Sequence, residues 1–183
     1  MKYILKPAFF LFFTAVIVVA FLSVVYALTK DPIERQKERT REVVKKAVFP
    51  NASDFKEISI NKTGSINAVF ECYEGNNMIG YIVELSPKGY SDNIDIMVGI
   101  ALPDEKISGM RVMRHSETPG LGALAVKEEF YRRYDNLPLK PLVVVRSSPG
   151  ENEIQAITSA TITTRAITNA VNEAIEWVKR RIE

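Results

Sequence analysis

The chain is poor in the residues that build metal and disulfide chemistry. Its 183 residues contain one cysteine, Cys72, and one histidine, His115. A single cysteine excludes an internal disulfide, and one Cys with one His cannot make a zinc cluster or hold an iron–sulfur centre. A large excess of charge is also missing. With 24 Lys+Arg against 22 Asp+Glu the net charge is +2, which excludes nucleic-acid binding driven by bulk charge. No Gly-rich loop ends in the lysine of an ordinary P-loop. Internal repeats and low-complexity tracts are absent as well. The apolar content of 46% and charged content of 25% are those of a globular chain and not of a disordered one.

The longest gap concerns charge along the chain. From Pro7 to Thr29 there is no Asp, Glu, Lys or Arg. At about 1.5 Å per helical residue this run can cross a hydrocarbon core about 30 Å thick. Thr14, Ser23 and Tyr26 interrupt it without forming a polar stripe, and Tyr3 and Tyr26 fall near the two expected interfaces. A signal peptide has an apolar region of only about 7–15 residues followed by a small-residue cleavage site, so the run reads as a retained anchor over 1–29. Five cations (Lys30, Arg35, Lys37, Arg39, Arg41) follow the span, which by the positive-inside rule favours a cytoplasmic body. Glu34, Glu38 and Glu42 alternate with them at helical spacing. Large domains also cross membranes largely regardless of flanking charge, so composition leaves the side open.

A charged connector helix is expected over Pro32–Val48, within a connector at 30–50, with Val43, Val44, Ala47 and Val48 as its apolar face. Pro50 stops it at Phe49. Strands are expected at Ile58–Ile60, Ile66–Tyr73 (Ile66, Ala68, Phe70 and Cys72 on one side), Met78–Leu85, Ile94–Leu102, Lys106–Arg114 and Leu142–Arg146. Gly75-Asn76-Asn77 is a hairpin turn, and the unbroken apolar run at 94–102 implies a strand buried on both faces. Helices are expected at Ala123–Tyr134 and Thr163–Ile182. The latter has apolar positions at 167, 170, 171, 174, 175 and 178, and its Lys179-Arg180-Arg181 end complements the helix dipole. The body at 51–183 is therefore one α+β domain of mixed or antiparallel strands flanked by helices.

Two segments carry possible chemistry. Thr158, Ser159, Thr161, Thr163 and Thr164 place five hydroxyls in seven positions before the last helix. One or two suffice to cap a helix, and a hydroxyl-rich helix N-terminus is also a phosphate site; spacing leaves capping and anion binding both open. The second is His115-Ser116-Glu117-Thr118-Pro119-Gly120-Leu121-Gly122. It is readable as a strand–helix turn, or as a backbone that a flat ligand approaches closely at Gly120 and Gly122, with Glu117 and Thr118 as polar contacts. His115 alone reads as a structural imidazole, and Lys88-Gly89-Tyr90 as a turn.

Together, the anchor, the K-G-Y turn, E-T-P-G-L-G and the hydroxyl-rich start of the last helix resemble the FMN-binding domain family. Within it the chain is similar to the G subunits of Rnf complexes, membrane-bound ferredoxin:NAD oxidoreductases that pump ions. The C subunit of the sodium-pumping NADH:quinone oxidoreductase is a near relative. The resemblance covers essentially the whole chain. It implies FMN joined through a phosphoester to the threonine after the motif alanine, which is Thr161, by a flavin transferase that takes FMN from FAD. It also implies that Thr158, Ser159, Ala160 and Thr163 surround the phosphate, with Thr163 as the fallback acceptor. Glu117, Thr118, Leu121 and Gly122 would line the isoalloxazine. No side chain is expected to act as a base, so the protein is an electron carrier and not a catalyst by itself. The FMN domain is expected on the extracytoplasmic face, with other membrane subunits of the complex as partners and no nucleic acid. An anchored flavin-binding sensor or assembly module is the alternative. The family commonly has an acidic residue where Gln155 stands and a glycine where Ser159 stands. If that position takes a positive φ, serine is strained there by about 1–3 kcal/mol.

Overall fold

The structure is a computed structural model describing residues 2–60 and 64–182, with side chains from residue 6 onward; the interfacial placement of Tyr3 therefore lies outside the described side chains. The chain divides into two compact units, Met1–Arg41 and Glu42–Glu183.

The first unit lies within α1, Lys2–Val48, one continuous helix that includes both the apolar span and the charged connector. Its apolar side chains are exposed, from Phe9 at 70% to Leu28 at 71%, and this is the one described helix long and apolar enough to cross a membrane. Thr14, Ser23 and Thr29 return their hydroxyls to carbonyls three or four residues back, so these three hydroxyls are satisfied within the helix. Charged pairs such as Lys37–Glu34 and Arg41–Glu38 follow it.

The second unit is built on a five-stranded antiparallel sheet in sequence order: β1 Asp54–Ile58, β2 Ile66–Glu74, β3 Asn77–Leu85, β4 Asp95–Ala101 and β5 Lys106–Arg114. Each strand pairs with its chain neighbour, so local hairpins make the whole sheet. Gly75, at φ +61, opens the β2–β3 turn. Registers align Val69, Val83, Val98 and Met110 in a row across four strands. On that face packs α3, Thr161–Ile182, through Ile167, Ala170, Val171, Ala174, Ile175 and Val178, the six positions that its periodicity marks.

The opposite face is covered by the end of α1, where Val48 and Phe49 pack with Ala68, Phe70, Cys72, Ile82 and Met97. Two glycines admit them: a Cβ at Gly80 would lie 2.7 Å from the Phe49 ring, and one at Gly99 2.6 Å from Val48. The inward stripe differs from the expected one. Val44 and Val48 turn in with Lys45, whereas Val43 and Ala47 are exposed. Lys45 is 7% exposed, with its ammonium 3.9 Å from the centroid of Phe70 and 2.9 Å from Glu42; an aromatic face and a carboxylate replace its water. Burial pushes the Cys72 thiol up to about 12, against the opposing charge of Lys45.

Four sequence expectations are corrected. The first strand lies at 54–58 and not at 58–60. Ile66 joins the α3 face and not the face of Ala68, Phe70 and Cys72, because a register shift between Ile66 and Ala68 breaks the alternation. The helix expected at Ala123–Tyr134 is a 3₁₀ turn at Gly122–Val126, the single-turn α2 at Glu128–Tyr131 and a second 3₁₀ turn at Arg132–Tyr134. It breaks at Lys127, whose ψ of 145° is extended. Last, β6, Val143–Val145, pairs in parallel with β7, Glu153–Gln155, a strand the sequence does not announce. The α3 residue Asn172 fastens β6 by bonding both the N–H and the carbonyl of Leu142.

Candidate functional site

Three segments distant in sequence meet at the N-terminal end of α3: the turn at Lys88–Ser91, the loop after β5, and residues 159–163. They line a cavity of about 460 Å³. One buried carboxylate joins them. Glu117 Oε1 accepts from the backbone N–H of Tyr90 (2.9 Å) and Ser91 (3.0 Å), and its Oε2 accepts from the Thr163 hydroxyl (2.5 Å). His115 serves this loop, its Nδ1 accepting from the Glu117 N–H at 3.2 Å.

The loop's two glycines act differently. Gly120 has φ +78 with open space around it, so conformation alone requires it. Gly122 is required by contact: a Cβ there would fall 2.4 Å from Glu117 Oε2 and 2.6 Å from Thr163 Oγ1. The Thr118 carbonyl accepts from Leu121 and Ala123 and closes the turn.

At the helix start the hydroxyls separate into engaged and free. Thr163 is held by Glu117. Thr164 Oγ1 donates to the Ala160 carbonyl and accepts from the Ile157 N–H. Deeper in the helix, Thr168 donates to the Thr164 carbonyl, which makes Tyr134 the donor in the 2.9 Å contact between the Tyr134 and Thr168 hydroxyls. This buried ladder stiffens the first turns. Thr161, half-buried, keeps its hydroxyl free in the cavity. The first intrahelical bond is donated by Thr164 to Ala160, so the N–H groups of Thr161, Ile162 and Thr163 precede it and give this end its positive dipole. Ser159 stands at φ +62, the left-handed conformation in which glycine is unstrained. Gln155 lies in β7, and its carbonyl accepts from Arg133.

The cavity thus gathers Glu117, Thr118, Leu121, Gly122, Ser159, Ala160, Thr161 and Thr163. Thr158 is exposed and outside the lining. Two lining residues escaped the sequence reading: Tyr90, 68% exposed, and Ile162, 56% exposed. The K-G-Y turn pointed to the first, and nothing in the hydroxyl pattern pointed to the second. With Leu121 they add apolar surface to the cavity, Ile162 from the helix start itself. A larger cleft at the other end of α3, beside Trp177 and Arg180, contains none of the expected site residues.

The FMN-binding domain family model matches residues 89–176, and the RnfG N-terminal region model matches residues 1–44. The G subunit of the proton-translocating ferredoxin:NAD(+) oxidoreductase complex of Clostridium ljungdahlii is 34% identical over 157 residues, 86% of this chain and 82% of that one. The G subunit of the ion-translocating oxidoreductase complex of Methanosarcina acetivorans is 31% identical over 175 residues, covering 90% and 91%. Among solved structures, NqrC of Shewanella oneidensis aligns with a TM-score of 0.50 at 19% identity, covering 68% of this chain and 66% of that one. The C subunit of the Na(+)-translocating NADH-quinone reductase of Parabacteroides distasonis gives 0.53 at 18%, covering 67% and 73%. These two likenesses are of fold.

Proposed function

The chain belongs to the RnfG family, the G subunits of ion-translocating oxidoreductase complexes, and on that premise we propose that it is a membrane-anchored electron-transfer protein of such a complex, with FMN esterified to Thr161. The observation that carries the proposal is the free Thr161 hydroxyl, in the cavity at a helix N-terminus, beside two threonines already engaged.

The residues present fit the group. A cavity of about 460 Å³ lies within the roughly 300–1,000 Å³ of cofactor pockets. Its polar end offers N–H groups and a helix dipole to a phosphate, and Tyr90, Leu121 and Ile162 offer apolar surface to a flat ring. FMN bound there supplies redox chemistry that no side chain of this chain provides. In maturation, the Thr161 oxygen would take the FMN phosphoryl group of FAD in exchange for the bond to AMP, and AMP would leave with the hydroxyl proton. A flavin transferase performs that exchange. The helix start would hold the remaining phosphate charge, Ser159 and Ala160 would shape the approach to it, and Glu117, Thr118, Leu121 and Gly122 would hold the ring side.

We divide the chain into an anchor at 1–29, a connector at 30–50 and an FMN-binding domain at 51–183. The domain faces the extracytoplasmic side. The flanking cations argue the other way, but translocated domains largely escape that count, and a covalent tether suits a carrier placed where lost flavin would diffuse away. The partners are the other membrane proteins of the complex. The test is fluorescence of a denaturing gel under ultraviolet light after coexpression with the transferase. Wild type gives a flavin-bright band and Thr161→Ala a dark one; a bright Thr161→Ala band contradicts the assignment.

A further inference from the structure

Glu117 is 5% exposed in the cavity wall, and each hydrogen bond of its carboxylate is accepted from a neutral donor: two backbone N–H groups and the Thr163 hydroxyl. Among the described residues no Lys, Arg or His forms an ion pair with it; the nearby Lys88 pairs with Asp92, and His115 turns an accepting nitrogen toward the Glu117 N–H. Backbone presses on both oxygens, since a Cβ at Gly89 would lie 2.5 Å from Oε1 and one at Gly122 2.4 Å from Oε2. Three dipoles stabilise such a carboxylate without cancelling its charge, and a charge enclosed by protein is screened far less than one in water.

We propose that Glu117 sets the potential of the bound flavin: its uncancelled negative charge in the cavity wall opposes the arrival of an electron and holds the midpoint potential low. This rests on the reading above that FMN occupies the cavity. Thr163 moderates the effect, because its hydroxyl draws on the charge that the cofactor faces. Glu117 therefore acts on the cofactor through its charge.

The test is a spectroelectrochemical titration of the full, transferase-matured chain in detergent and mildly alkaline buffer, with dithionite supplying the electrons and ferricyanide removing them. Glu117→Gln keeps the shape and removes the charge. It is expected to raise the reduced-to-oxidised ratio at a fixed poise about tenfold, ~59 mV for a one-electron couple. Thr163→Val keeps the charge and removes a donor, and is expected to shift the potential the other way. Opposite signs separate charge from structure, since a purely structural role moves both variants together or neither. A Glu117→Gln potential equal to or below wild type overturns the proposal. If Glu117→Gln does not retain flavin, Thr163→Val decides: a lower potential supports the proposal, and an unchanged or higher one overturns it. Flavin mapped to Thr161 with an unmoved Glu117→Gln potential defeats this inference alone. Wild type without flavin at Thr161 defeats the functional reading beneath it.

Discussion

The two ends of the α3 region use the same device for different purposes. Near its start, Glu117 gathers two N–H groups and a hydroxyl from segments far away in the chain. Toward its end, Glu173 does the same with Ser65, accepting from its N–H at 2.9 Å and its hydroxyl at 2.5 Å, so close to Gly64 that a Cβ there would overlap it. Each carboxylate fastens a loop. Beside Glu117 stand a free hydroxyl, unbonded helix N–H groups and an apolar wall; beside Glu173 stand Trp177 and Arg180, the ring packed edge-on against Tyr81 and the guanidinium paired with Glu176. A carboxylate that fastens a loop therefore does not by itself identify the site. A free hydroxyl at unbonded helix N–H groups, which only the Glu117 end has among the described residues, does.

Substitutions can break this contrast. The largest expected effect is Thr161→Ala, with complete loss of denaturation-resistant flavin and a change in stability within about 0.5 kcal/mol, because the hydroxyl makes no hydrogen bond among the described residues; gel fluorescence and a urea melt measure both. Next is Glu117→Ala, which leaves two N–H groups and the Thr163 hydroxyl without their acceptor and lowers unfolding stability by about 2–4 kcal/mol, with loss of bound flavin. Glu173→Ala lowers stability by about 1–2 kcal/mol, because the site is only half-buried, and keeps full flavin content. Flavin loss in Glu173→Ala would erase the distinction between the two ends. The smallest is Ser159→Gly, which relieves the φ of +62 and raises stability by about 0.5–1 kcal/mol in the same melt.

Much of this was legible from residue patterns. The six core positions of α3 follow from a 3.6-residue period, the double burial of β4 from an unbroken apolar run, and β5 at Lys106–Arg114 from its bounding turns. What failed depends on contacts a local pattern does not contain. Ile66 changes face at a bulge, Lys127 interrupts a helical stretch, and Glu153-Ile154-Gln155 is too short and polar to read as a strand. The site divides the same way. The cluster of hydroxyls was visible, and the serine in place of the family glycine pointed to a positive φ at 159. Which hydroxyls are engaged was not visible, because Thr163 meets its acceptor 46 residues away.

The most direct test of the central claim is the mass of the tryptic peptide 147–165, bounded by Arg146 and Arg165, from chain matured with the transferase. The account predicts a gain of one FMN less one water, with fragmentation placing it on Thr161. An unmodified mass throughout, or the adduct on Thr163, contradicts it.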